Sequence, residues 1–454
     1  MVGRTVFVLL AMILPCCTFA QGLFKEDEKK KIVAFWNAPG RYLVSQPEWA
    51  MKTGPWQVRL TPEGSSWLLK YQGALGKGAL PPTADPTTFG GGVQGWKEWV
   101  LVKVAYDRWK AQSLANLANS RTLEMTTPKN DRRDTRLNAL KPDPAMAPPT
   151  PGTIPASLLI AVGSPPSFAS PVTPMRHDIR FEEGDSYSYQ DNINFSPTYA
   201  YYRFSQGVAH EGTALTDDER IDLFKAAGLS DAEQHVMLRV SKLEGSFDAI
   251  NTYDTGFVSV GFIQFASLIA GKGSLGTALQ QEKTDTQEEF ESDFRRFGID
   301  VATDGSIIAI DPVSGVELSG TDAVLKIIDE KRLIAVFQKA GKMSRAFRVA
   351  QIRVAKTSYW PADDPIKITL DGTVLEGKVS DAIQSEAGYA TLFDRKVNRG
   401  SVAPFADVLL SVMKRRNLKA IPEALKYERE IIAQLKYRVD FLLDKDLKQP
   451  DTGH

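Results

Sequence analysis

The residues best suited to chemistry lie in one stretch, from Glu244 to Gln264. Just upstream, Ser230, Asp231, Ala232 and Glu233 have the form of a capping box, and Val236, Met237, Val240 and Leu243 follow at helical spacing. The pattern predicts a helix over about 230–244, stopped by Gly245. Glu244 is then the last side chain of an apolar helix, facing the negative end of the helix dipole and apolar walls. Both disfavour a charged carboxylate, so the group is expected to keep its proton and serve as a general acid. Beyond it, 251–256 is rich in turn formers, and 257–265 is apolar, β-branched or aromatic with Gly261 inside it. This reads as a turn feeding a strand or short hairpin. The segment also carries Asp254, a second carboxylate, together with Tyr253, Ser259 and Gln264.

Other chemistries find little footing. His177, His210, His235 and His454 are scattered without zinc spacing, and His235 reads as a polar-face or satisfied core residue. No Gly-x-Ser-x-Gly elbow is present. The two cysteines, Cys16 and Cys17, both sit in the N-terminal segment. Asp304, Asp311 and Glu317 lack the spacing of a calcium loop. No metal and no cofactor is expected, which leaves carboxylate chemistry.

The stretch resembles the lysozyme-like superfamily of goose-type lysozymes, soluble lytic transglycosylases and chitosanases. The transglycosylase pattern Glu-Ser-x-Phe followed by Ser-x-Gly-x-x-Gln is matched by Glu244-Gly245-Ser246-Phe247 and by Ser259-Val260-Gly261-Phe262-Ile263-Gln264. Gly245 stands where that family has Ser. Chitosanases carry an Asp, a Gly-rich turn and a Thr or Ser before Gly-Ile-Ile-Gly-Phe, an order that residues 254–267 follow, though with a shorter Glu-to-Asp separation. A second echo is the segment 390–400, carrying Asp394, which resembles the helix backing the chitosanase cleft. The resemblance covers about 205–443. It implies a catalytic Glu244 that protonates the leaving oxygen of a β-1,4 glycosidic bond in an amino-sugar polymer. In a hydrolase, Asp254 would be the base holding the attacking water, with inverting geometry requiring carboxyls about 6.5–9.5 Å apart. In a lytic transglycosylase no second carboxylate is needed; Ser259 and Gln264 would then contact the substrate or fix the β segment, and Tyr253 would line the cleft. Peptidoglycan is the expected substrate. The alternatives are a chitosanase-like or chitinase-like hydrolase, and a non-catalytic wall-binding protein of the same fold.

The elements that must position this stretch follow from periodicity. Thr216 to Glu219 forms another capping box, opening a short helix that ends near Gly228. Residues 298–320 read as a β insert turned at Asp304-Gly305. Helices are expected over 322–339, 344–360, 379–397 and 421–443, the third carrying Asp394. Upstream, prolines crowd the region between about 125 and 174, and a linker is placed at 126–153. Leu158 to Val162, Asp178 to Phe181 and Tyr199 to Tyr202 read as short strands. Seven of the eight tryptophans precede the linker: Trp36, Trp49, Trp56, Trp67, Trp96, Trp99 and Trp109. They suit either a carbohydrate-binding surface or a core, and the alternation of Trp56, Val58 and Leu60 and the helical spacing of Trp99, Val102 and Trp109 favour core. The Gly90 to Gly92 run is a loop without the Lys of a phosphate-binding loop.

Residues 1–20 combine Arg4, an apolar run and Thr18-Phe19-Ala20, the pattern of a secretory signal peptide. Cleavage there removes both cysteines and leaves no stable membrane insertion, so a secreted or periplasmic location is expected. Acylation of Cys16 or Cys17 as a lipoprotein is the less favoured course. Lys plus Arg number 55 and Asp plus Glu 55, a balance that gives no pull towards nucleic acid. The expected fold is α+β, a mostly helical lysozyme-like catalytic domain with a small β segment, preceded by a mixed accessory region. The division is 1–20 signal, 21–125 tryptophan-rich region, 126–153 linker, 154–204 short strands and 205–446 catalytic domain, with a polysaccharide as partner.

Overall fold

The computed structural model describes residues 22–48, 50, 54–75, 92–126, 147–182, 184–191, 207–254 and 256–451. The signal segment with Cys16 and Cys17, Trp49, Gly90, residues 199–202 and most of the 126–153 linker lie outside them. The chain is α+β, with helices predominating and small antiparallel sheets between them.

Both capping boxes form. Glu233 accepts from the Ser230 N–H at 2.8 Å and Glu219 from the Thr216 N–H at 2.8 Å, opening the helices Asp231–Ser241 and Asp217–Ala226. The first of these stops at Ser241, three residues before Glu244, where 230–244 was expected. Tertiary bonds pull the chain away: the Ser246 N–H reaches the Glu211 carbonyl at 3.2 Å. Buried Asp248 then takes both the backbone N–H and the hydroxyl of Thr213, at 2.7 and 2.9 Å. Glu244 therefore sits in a tight turn, with its own N–H on the Ser241 carbonyl at 3.3 Å.

The turn-and-strand segment that follows builds a four-stranded antiparallel sheet of two-residue strands, Ala209–His210, Ile250–Asn251, Ser259–Val260 and Phe265–Ala266. Gln351 holds it down. This residue is fully buried on the helix Arg345–Tyr359, where its Nε2 donates to the Phe247 carbonyl at 3.1 Å and its Oε1 accepts from the Phe262 N–H at 3.3 Å. Gly261 has φ +88°, and a Cβ there would stand 2.1 Å from the Gln351 Oε1. Only glycine lets the turn after Val260 lie this close to the helix.

The 298–320 insert is a three-stranded sheet, Ile299–Val301, Ile307–Ile310 and Glu317–Ser319, turned at Asp304, whose carboxylate accepts from the Ser306 N–H at 3.0 Å. Three expected helices are shorter or divided. The 322–339 helix is two, Gly320–Asp329 and Lys331–Met343, because Glu330 is extended and its carboxylate caps the second at the Arg332 N–H. The 379–397 helix begins only at Glu386, where Ser385 caps it. The 421–443 helix is a 3-10 turn over Ile421–Tyr427 and then Glu428–Leu435, and it breaks at Lys436. Leu158 to Val162, expected as a strand, belongs to the helix Ala156–Val162, docked on the tryptophan cluster through Leu158 and Val162.

Packing groups the residues differently from the chain-order division. Phe24, Ile32 and Trp36, from the helix Glu26–Trp36, join the main core with Ile179, Phe181, Tyr187 and Phe297. A second core unites Leu60, Trp67, Tyr71, Trp96 and Val100 with Leu158 and Phe168. The buried tryptophans spend their N–H groups internally: Trp36 on the Phe297 carbonyl at 2.9 Å, Trp67 on the Gly163 carbonyl at 3.0 Å and Trp96 on Ser157 Oγ at 2.8 Å. These indoles are core residues. On the long helix Gly92–Thr126 the buried stripe runs through Trp96, Val100, Val104, Ala111 and Ala115, leaving Trp99 and Trp109 at its edge.

Candidate functional site

The two features expected to keep Glu244 protonated are not there: the helix ends at Ser241, and the carboxyl meets a guanidinium in place of apolar walls. Arg438 Nη2 binds both Glu244 Oε1 and Asp394 Oδ1, and Arg438 Nε reaches the same Asp394 oxygen at 2.9 Å. Asn398 Nδ2 donates to Glu244 Oε1 at 3.0 Å and to Asp394 Oδ1 at 3.3 Å. Asp394 is 1% exposed and the Glu244 side chain 11%, so the network is a lid of polar groups over a buried carboxylate. Burial works against the Arg438 charge, but Asp394 and Glu244 outweigh it and push the guanidinium above its ordinary value.

Three elements assemble this cluster. The turn after Ser241 delivers Glu244. The helix Glu386–Arg399 delivers Asp394 and Asn398, four residues apart and thus on one face. The break after Leu435 delivers Arg438, which a continuous helix would have carried elsewhere.

Of the other sequence candidates, Gln264 lies near Glu244. Its amide is 3.8 Å from where a Cβ on Gly245 would stand, and it donates to the Gly261 carbonyl at 3.0 Å while its own φ is +55°. Such left-handed backbone at a non-glycine residue carries a cost that the closed 261–264 turn sustains. Asp254 is committed to its own turn, accepting from Asn251 Nδ2 at 2.6 Å and from the Gly256 N–H at 2.8 Å. Ser259 is 5% exposed at the centre of the small sheet, beneath Gly256. Tyr253 is half-buried, its N–H on Asn251 Oδ1 at 3.1 Å. Asp254 thus closes its own turn, and Ser259 is a buried member of the small sheet. His235 pairs with Glu386 at 3.1 Å, as befits a satisfied polar residue.

Sequence reasoning passed over Arg438, Asn398 and Gln351. A glutamine one residue from Ala350 on the apolar face of the 344–360 helix was a visible signal for Gln351. For Arg438 the pattern offered none, since the apolar register of Ile431, Leu435, Val439 and Leu442 masks the break. A cavity of about 980 Å³ opens near the other end of the Glu386–Arg399 helix, lined by Ser385, Tyr427, Glu428, Arg429 and Lys448 among others. None of Glu244, Asp394 and Arg438 lines it, and the polar network rather than this cavity marks the candidate site. Among the described residues no group of three or more His, Cys, Asp or Glu could hold a metal, and no helix is long and apolar enough to cross a membrane. No protein-family model, curated protein or solved structure matches this chain.

Proposed function

We propose that the chain is an exported, lysozyme-like glycosidase that cleaves β-1,4 bonds of an amino-sugar polymer, peptidoglycan first, with Glu244 as the general acid. One observation carries the reading: the Glu244 carboxyl is gripped by Arg438 and Asn398 within a network anchored on buried Asp394. Both donors meet Oε1, so the acid form carries its proton on Oε2, and the carboxylate left when that proton passes to the leaving oxygen keeps the two donors that already hold Oε1. Preorganised donors aimed at developing charge lower a barrier without reorganisation at the moment of reaction. The Gln264 turn beside Gly245 would contact the sugar chain.

Both Asp254 oxygens are held by its own turn, which supports the single-acid course in which a hydroxyl of the substrate attacks and Glu244 acts as acid and then base. A chitosanase-like hydrolase is the second reading. It draws on the contact between Glu244 and the Asp394 helix, the segment that resembles the chitosanase cleft. Mass analysis of the products formed from peptidoglycan and from chitosan tests these. Anhydro-sugar ends from peptidoglycan are expected. Reducing ends would make the enzyme a hydrolase, and the absence of products from either polymer would leave a wall-binding protein.

A further inference from the structure

The rim beside Glu244 is cationic. Tyr437, next to Arg438 in the chain, carries two guanidiniums against its ring, Arg399 at 5.0 Å and Arg395 at 5.5 Å from the centroid. Arg395 is spent structurally, with Nη1 on the Leu435 carbonyl at 3.0 Å and Nε and Nη2 on the Ala403 carbonyl at 3.1 and 2.8 Å. Arg399 is exposed and, among the described residues, makes no hydrogen bond or ion pair beyond its contact with the ring. It directly follows Asn398, whose amide holds Glu244.

Carboxylates paired with other cations of these segments are already engaged. Glu244 and Asp394 share Arg438, Asp364 pairs with Lys396 at 2.6 Å, and Asp440 stands 3.5 Å from Lys436. The five donors of Arg399 are left to an outside acceptor, and a planar guanidinium steadied on an aromatic face is preorganised for bidentate contact with a carboxylate.

We propose that Arg399, steadied on Tyr437, is a subsite for a carboxylate borne by the polymer at Glu244, so that the site selects an anionic amino-sugar chain and rejects the polycationic chitosan. This rests on the glycosidase reading and names its substrate class. The carboxylate can stand on the sugar itself or on a peptide attached to it. The chemistry at Arg399 is the same. Protonated amines of chitosan would instead meet Arg399 and Arg395, a like-charge encounter that discriminates by repulsion.

The test uses the full chain carrying Glu244→Gln, so that ligands survive, and four oligomers of equal length. These are a peptide-free glycan with sugar carboxylates, the same glycan with peptide stems, an uncharged N-acetylated chitooligosaccharide and a chitosan oligomer. Calorimetry should show at least one anionic glycan binding about tenfold or more tighter than the neutral one, and chitosan weakest, with added salt narrowing the gap. Preference for the stem-bearing glycan alone would place the carboxylate on the peptide. Adding Arg399→Glu should abolish the preference while leaving the neutral affinity and the melting temperature unchanged, and Arg399→Lys should restore part of it. Equal binding of anionic and neutral oligomers, or a preference that survives Arg399→Glu, overturns the subsite. A parallel cleavage assay of the unsubstituted chain separates the two claims. Cleavage without anionic preference removes only the subsite, whereas anionic preference without cleavage of any of the four removes the glycosidase reading.

Discussion

Carboxylates in this chain are distinguished by what their oxygens meet. Glu244 meets Arg438 and Asn398, Asp254 meets its own turn, and Asp248 meets Thr213. Glu282 is the exception. Fully buried on the helix Ser274–Asp285, it meets no cation or N–H donor among the described residues, and burial first, then the neighbouring Asp293 carboxylate, pushes its carboxyl up to about 9. A raised acid favours the protonated native state, so its contribution is fully present below the unfolded value of 4.5 and is lost as pH rises towards 9. At pH 7 the loss is about 3 kcal/mol. Glu282→Gln removes this titration, and its melting temperature should fall less than that of the parent between pH 5 and pH 9. Parallel melting curves across that range would show that Glu282 does not carry the raised value.

Local signals were legible where the chain's own neighbours decide structure. Ser230 with Glu233 and Thr216 with Glu219 specified their helix starts, and Asp304-Gly305 specified its turn. Distant partners decided the rest. The helix end before Glu244 depends on Glu211 and Thr213, and the seat of the turn at Gly261 depends on Gln351. The hairpin Pro365–Leu370 with Thr373–Lys378 could have been read from Asp371-Gly372 between alternating Ile366, Ile368 and Leu370, but was not. The Gln351 clamp gives a direct test of how the β segment is seated. Gly261→Ala should cost about 2 kcal/mol or more, through its positive φ and its collision with Gln351. Gln351→Leu should cost about 2–3 kcal/mol by orphaning the Phe247 carbonyl and the Phe262 N–H. Chemical denaturation measures both, and near-neutral values would mean the strand is seated by other contacts.

Across the whole chain, the cores interleave segments that are far apart in sequence. Composition marked a proline-rich seam but could not reveal that the helix Glu26–Trp36 belongs to the main core, since burial there is set by Phe181 and Phe297. Removal of residues 21–151 therefore takes Phe24, Ile32 and Trp36 from the main core and strips Leu158, Val162 and Phe168 of their partners. The truncated chain is expected to melt far below the parent or to fail to fold, as read by near-ultraviolet circular dichroism. A shortened chain with the parent's melting temperature would restore the tryptophan region to the status of a separable module.

The central claim is that Glu244 supplies the proton. Glu244→Gln keeps the size of the side chain and an oxygen able to accept from Arg438 and Asn398, but removes the titratable group and the charge paired with Arg438. On peptidoglycan digested under identical conditions, with soluble products counted by mass spectrometry, the variant should fold, still bind the polymer and lose turnover by about a hundredfold or more. Retention of the parent's turnover by Glu244→Gln would contradict the account and move the search for the acid elsewhere in the chain.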